Sequence, residues 1–252
     1  MTCIHPADNA RILIAGATSD MAQALIPRLI ESPVTLGLHG RNSMDRLEPF
    51  VGGGSGATVK AFSAELDSGD TARSLVDEFC DWAGGIDCLI QFTGNINRVC
   101  AWDDLDPEDW NADLAVNLTA PFFLAQAAIR HMSDEGRIVL MSTASASRSC
   151  GATTLGYGVA KAGIEAVVRS LAKACAPRGI LVNAVCPGLI ETRFHADTAK
   201  RSPADIAKRA ESVPLGSAGT ADDIAAAVLF LISTENRFTT GQCLRIDGGD
   251  FI

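Results

Sequence analysis

No CxxC pair occurs among the eight cysteines, no uninterrupted apolar run is longer than Ile224 to Ile232, and basic residues are in deficit. Each shortage excludes something. Scattered cysteines give no zinc ribbon and no disulfide framework, so they read as free, reduced thiols packed as small hydrophobes. The short apolar runs fall well below a membrane span. With 21 Lys plus Arg against 30 Asp plus Glu, the net charge of −9 repels polyanions and makes nucleic acid an unfavourable partner. The four histidines, His5, His39, His131 and His195, lack ligand spacing, so neither a metal site nor a Cys-His nucleophile is expected. MTCIHPADNAR shows no basic segment followed by an apolar one, and the expected location is the cytoplasm.

The chain has 252 residues, 47% of them hydrophobic, enough for one large core without staples, and a single domain over 1–252 is expected. Short β-type runs alternate with longer helical patterns throughout. Strands are expected at 11–15, 34–39, 57–62, 86–92, 136–142, 180–185 and 242–246. Helices are expected at about 20–31, 69–83, 107–132, 155–176 and 221–233, two of them closed by Gly136 or Gly179. Most strand runs are continuously apolar, as strands covered on both faces require. This pattern predicts an α/β, doubly wound Rossmann fold: a seven-stranded parallel sheet with helices on both faces. GGGSGA at 52–57 reads as a flexible surface loop.

The first strand runs directly into GATSDMAQALIPRLI, a glycine turn opening a helix where such a fold binds pyrophosphate. Gly16 makes the tight turn. The usual spacing asks for glycines at 20 and 22, where this chain has Asp20 and Ala22. The Asp20 carboxylate either opposes a phosphate or caps the helix by accepting backbone N–H bonds. After the second strand, LHGRN lacks the acid that would hold a ribose 2′-hydroxyl. Arg41 and Asn42 are instead suited to a 2′-phosphate, which favours NADP(H), with NAD(H) the other possibility.

The single tyrosine, Tyr157, lies in YGVAK with Lys161 one helical turn later on the same face. A phenol, with an ordinary pKa near 10, becomes a useful acid–base group once an ammonium stabilises its anion. Packing of the ring and solvation of the lysine are the plain alternatives for such a pair.

With these motifs the chain resembles the classical short-chain dehydrogenase/reductase family, in its 3-oxoacyl-carrier-protein reductase-like branch. The resemblance also rests, in order, on GGIDCLIQFTG at 84–94, DLAVNLTAPF at 113–122, GRIVLMSTAS at 136–145, VNAVCPGLIET at 182–192 and TGQCLRIDGG at 240–249. It implies that Tyr157 passes the proton, that Lys161 lowers its pKa and binds the nicotinamide ribose, and that Asn117 supports a water relay. The hydroxyl partner falls at Thr143, with Ser142 and Ser145 as alternatives, because the usual serine position holds Ala144. The implied cofactor set adds Thr18, Ser19 and Met21 to the glycine turn, Glu65 and Leu66 beside adenine, and Thr93 and Gly94 in QFTG. Pro187, Gly188, Ile190 and Thr192 of the PGLIET turn complete it. QFTG departs from the family's NNAG at Gln91 and Phe92.

The activity implied is hydride transfer between NADP(H) and a carbonyl or secondary alcohol, with no metal. A dinucleotide-binding regulator that lost efficient chemistry is the alternative, raised by Asp20, QFTG and the displaced serine. The segment 191–212 is expected to be a small lid, the substrate a small molecule, and the assembly a homodimer or homotetramer.

Overall fold

The computed structural model describes residues 5–52, 56–148 and 151–251. Of the expectations above, residues 53–55 of the glycine-rich loop, Cys3 and Cys150 lie outside these. The strands are β1 (Arg11–Ala15), β2 (Thr35–Gly40), β3 (Thr58–Ser63), β4 (Ile86–Gln91), β5 (Met132–Met141), β6 (Leu181–Pro187) and β7 (Cys243–Ile246). All pairs are parallel, in the order β3-β2-β1-β4-β5-β6-β7. The strand order reverses between β1 and β4, which opens a crevice at their carboxyl ends.

The two faces have separate cores. On one, α2 (Gly69–Ala83), α4 (Ala120–His131) and α5 (Leu155–Cys175) cover the sheet around Phe79, Leu89, Leu124 and Ile164. On the other, α1 (Asp20–Leu29) and α7 (Ala221–Ile232) pack over Ile14, Leu36, Ile90 and Val139. Each fully buried Leu or Ile contributes about 1.5–3 kcal/mol relative to exposure. At the amino end of the sheet Arg11 clamps β1 to β4, its Nε 2.7 Å from Asp87 Oδ2.

Three local expectations are corrected. The expected helix 107–132 is α3 (Pro107–Leu114), a π-turn (Ala115–Thr119) and α4. Pro121 explains the break: it has no N–H for the Asn117 carbonyl four residues back, and its ring crowds that oxygen. The widened turn closes instead through Ala120 N–H to Ala115 O. Second, β5 starts at Met132, so Gly136 lies within a strand rather than ending a helix; the pairing with β4 shifts register between Ile86 and Cys88. Third, no helix is expected from the sequence within 191–212, and the structure has α6 (Pro203–Glu211) there, whose cap Ser202 accepts from Asp205 N–H at 3.1 Å. The run 107–131 is long and apolar enough by composition to cross a membrane; here it is partly buried, with α4 against α2 and α3 against α5.

Candidate active site

The β1–α1 turn is held by backbone contact that only glycine permits. Gly16 has φ +83°, and a Cβ there would lie 2.7 Å from Thr93 N and 2.9 Å from the Phe92 carbonyl carbon. Its N–H is shared between His39 O at 3.1 Å and His39 Nδ1 at 3.2 Å, while His39 Nε2 lies 3.1 Å from Ala64 O. The imidazole is therefore the neutral Nε2–H tautomer, donating to Ala64, and burial pushes its pKa down.

Ser19, not Asp20, caps α1, accepting from Ala22 N–H at 3.2 Å. Asp20 neither caps nor stands as a lone charge. Its Oδ1 lies 3.0 Å from Arg46 Nη2 and 3.0 Å from Arg193 Nε, and its Oδ2 accepts from Arg193 N–H at 2.8 Å. Two guanidinium groups thus offset the carboxylate at the phosphate position, and one of them ties the start of 191–212 to α1. Arg46 also donates to Thr18 O at 2.5 Å.

A cavity of about 620 Å³ extends from this turn across the ends of β4, β5 and β6. Ser19, Asp20 and Met21 line it at one end, and Thr93, Gly94 and Thr143 along its floor. Tyr157 and Lys161 face it from α5, and Pro187, Gly188, Ile190 and Thr192 from the turn after β6. Gly16, Thr18 and Asn117 are not part of this lining. Arg41, Asn42, Glu65 and Leu66 lie beyond it at the ends of β2 and β3, where Arg41 Nη1 meets Glu65 Oε1 at 2.9 Å.

Lys161 is buried, and its Nζ donates to Met141 O at 3.0 Å and lies 3.5 Å from Thr93 O. Burial pushes its pKa down to about 8. The ammonium lies 5.7 Å from the Tyr157 ring centre, and Phe194 of the 191–212 segment covers that ring at 6.0 Å between centroids. Asn117 sits in the π-turn, a common functional device. Its amide donates to Asn95 O at 2.7 Å and Asp113 O at 2.9 Å, while its Oδ1 accepts from Asn95 N–H at 3.1 Å.

Of the three hydroxyl candidates, Ser142 is buried and committed to Lys161 O at 3.0 Å. Thr143 Oγ1 lies 3.1 Å from Ser145 Oγ, and both residues line the cavity with Tyr157. Gln91 is fully buried; it donates to Thr93 O at 2.6 Å and accepts from Met141 N–H at 3.1 Å, so it joins β4 to β5. Phe92 is buried beside it.

Two contributors were missed in the sequence. Asp113 is buried and accepts backbone N–H groups of Tyr157 and of Asn97, the latter at 2.8 Å, which fixes the start of α5; burial raises its pKa. The signal was an acid on the apolar side of DLAVNL. His39 was visible only as an isolated histidine, and its link to the glycine turn arises from strand pairing.

A dinucleotide needs bare backbone beneath it and donors around it. Gly94 provides the former, since a Cβ there would come within 3.3 Å of Asn117 Oδ1 and 3.4 Å of Lys161 Nζ. The α1 amino terminus and the paired arginines supply donors, so the residues fit a nicotinamide dinucleotide.

Sheet order, crevice and glycine turn define a doubly wound, dinucleotide-binding α/β protein. The family model described as Enoyl-(Acyl carrier protein) reductase matches residues 16–250. A 3-oxoacyl-(acyl-carrier-protein) reductase FabG from Aquifex aeolicus is 32% identical over 95% of this chain and 96% of its own. An L-rhamnose 1-dehydrogenase (NAD(P)(+)) from Azotobacter vinelandii is 36% identical over 79% of this chain and 77% of its own. A short chain dehydrogenase from Burkholderia cenocepacia, solved in complex with NADP, superposes with TM-score 0.87 at 32% identity, covering 97% of this chain and 99% of that one. The chain belongs to the short-chain dehydrogenase/reductase family, in its 3-oxoacyl-carrier-protein reductase-like branch, a family of NAD(P)-dependent oxidoreductases.

Proposed function

We propose that this protein catalyses reversible hydride transfer between NADP(H) and a small carbonyl or secondary alcohol, with Tyr157 as the acid–base group. The convergence of Tyr157, buried Lys161 and Thr143 on one cavity beside the Gly16 turn carries this reading. A bound nicotinamide supplies or accepts the hydride. In the oxidation direction the alcohol proton passes to the Tyr157 oxygen as the C–H hydride leaves; reduction reverses both. Lys161 holds a positive field near the phenol, Thr143 donates a hydrogen bond to the substrate oxygen with Ser145 alongside, and Asn117 holds the Asn95 backbone beside the relay. Segment 191–212 acts as a lid within a single domain, drawn down by Arg193 on Asp20 and covering Tyr157 with Phe194. The completeness of this constellation disfavours the catalytically weak regulator, because Asp20 is neutralised and Gln91 rebuilds the strand-end contacts.

Arg41 supports NADP(H) over NAD(H): its partner Glu65 is exposed, so the guanidinium can turn to a 2′-phosphate. Arg41→Ala should weaken NADPH about 10- to 100-fold and leave NADH nearly unchanged. Equal losses for both cofactors would contradict that assignment. The free cysteines among the described residues support a reducing compartment such as the cytoplasm. A screen of ketones and secondary alcohols for NADPH- or NADH-linked absorbance change tests the activity, and no turnover with any substrate despite tight cofactor binding would favour the regulator.

A further inference from the structure

A second cluster of side chains with metal-ligating atoms meets behind Lys161, outside the hydride-transfer site. Cys186 is buried on β6, Cys243 is half-buried on the edge strand β7, and Glu165 lies on α5 one turn beyond Lys161. Their two Sγ atoms and a carboxylate oxygen all lie within 4.8 Å of one another. The ligands are 78 residues apart at the extremes (243 − 165), so no local spacing announces them.

Strand register decides between a disulfide and a shared ion. Cys243 pairs with Ala184, two residues before Cys186. Two residues along the strand and one strand across separate the α-carbons by about 8 Å, beyond the roughly 7 Å that a disulfide spans. The thiols meet only at their tips. A tetrahedral ion with bonds of about 2.3 Å holds two sulfurs about 3.7 Å apart, which suits tips that approach without bonding.

We propose that Cys186, Cys243 and Glu165 form a binding site for a soft divalent cation of the zinc class. Two thiolates select such an ion over magnesium or calcium, and binding releases the thiol protons. The carboxylate is loosely held, 3.4 Å from Ser142 Oγ and 3.8 Å from Arg169 Nη1, so it can turn to the ion. Three anionic ligands and a dication leave one negative charge, which Arg169 faces. Half-exposure of Cys243 gives an entry path, and water fills the fourth position. The ion joins the four-residue edge strand β7 to β6 and α5. The proposal does not depend on the catalytic reading.

The test uses reduced, metal-stripped full-length protein titrated with Cd²⁺, followed by thiolate-to-metal charge-transfer absorbance and thermal melting. One equivalent should bind with a two-thiolate signal and raise the melting temperature. Cys186→Ser and Cys243→Ser should abolish both effects, Glu165→Gln should weaken binding about tenfold, and Cys100→Ser should change neither. Absence of Cd²⁺ binding, an unchanged signal in either cysteine variant, unchanged affinity in E165Q, or a Cys186–Cys243 disulfide in the unreduced protein would overturn the proposal. Should the serine variants not fold, alkylation of the wild-type chain decides: Cd²⁺ should protect Cys243 but not Cys100, and equal labelling overturns it.

Discussion

Replacing Lys161 by methionine removes the charge beside Tyr157 while keeping most of the side-chain volume. The ammonium lies 5.7 Å from the phenol ring centre. At an effective dielectric constant of about 20, two unit charges at that separation interact by about 3 kcal/mol, equivalent to about two pH units of phenol ionisation. The rate of alcohol oxidation should therefore reach half its maximum about two pH units higher in K161M than in the wild type. Lys161 is itself pushed down to about 8 by burial. Its field is present below that pH and fades above it, so the advantage of the wild type should shrink in strongly alkaline buffer. The two groups titrate as a coupled pair, and the comparison is between apparent values. The assay is the pH profile of steady-state oxidation at saturating cofactor, which separates lost cofactor affinity from lost phenol acidity. An unshifted profile in K161M, with only cofactor KM raised, would refute the electrostatic role of Lys161.

Gly16→Ala places a Cβ 2.7 Å from Thr93 N on a left-handed backbone. Left-handed strain alone costs about 1–2 kcal/mol, and the contact adds to it because backbone, not a movable side chain, is struck. The variant should lose cofactor binding and melt several degrees lower; wild-type cofactor affinity would refute the close approach. His39, with its pKa pushed down by burial, contributes stability fully above about pH 6.5, lost as pH falls through the lowered folded value. The unfolding free energy of the wild type, from denaturant titrations, should accordingly fall more steeply with acid than that of His39→Gln, by up to about 1.4 kcal/mol per pH unit, and parallel acid limbs would refute it.

The sheet was legible because its strands are buried on both faces and so appear as apolar runs, with Ile12–Ala15 and Ile138–Met141 among the clearest. The Gly16 turn and the Tyr157–Lys161 spacing were legible because one turn of backbone fixes each. What the sequence concealed depends on long-range pairing. The partners of Asp20 are 26 and 173 residues away, so its neutralisation by Arg46 and Arg193 could not be read from GATSDMA. Cys186 and Cys243 meet only because β7 pairs with β6. Other omissions were avoidable. Pro121 signalled the break after Asn117, and the Ser202–Pro203 start with Asp205 signalled α6.

Tyr157→Phe removes one oxygen and leaves Lys161, the glycine turn and the cavity in place. With a substrate identified by the cofactor-linked screen, turnover should fall about 10²- to 10⁴-fold while the dissociation constant for NADPH changes little. Turnover within a few fold of the wild type would show that another group moves the proton, and the hydride-transfer mechanism built on Tyr157 would be wrong.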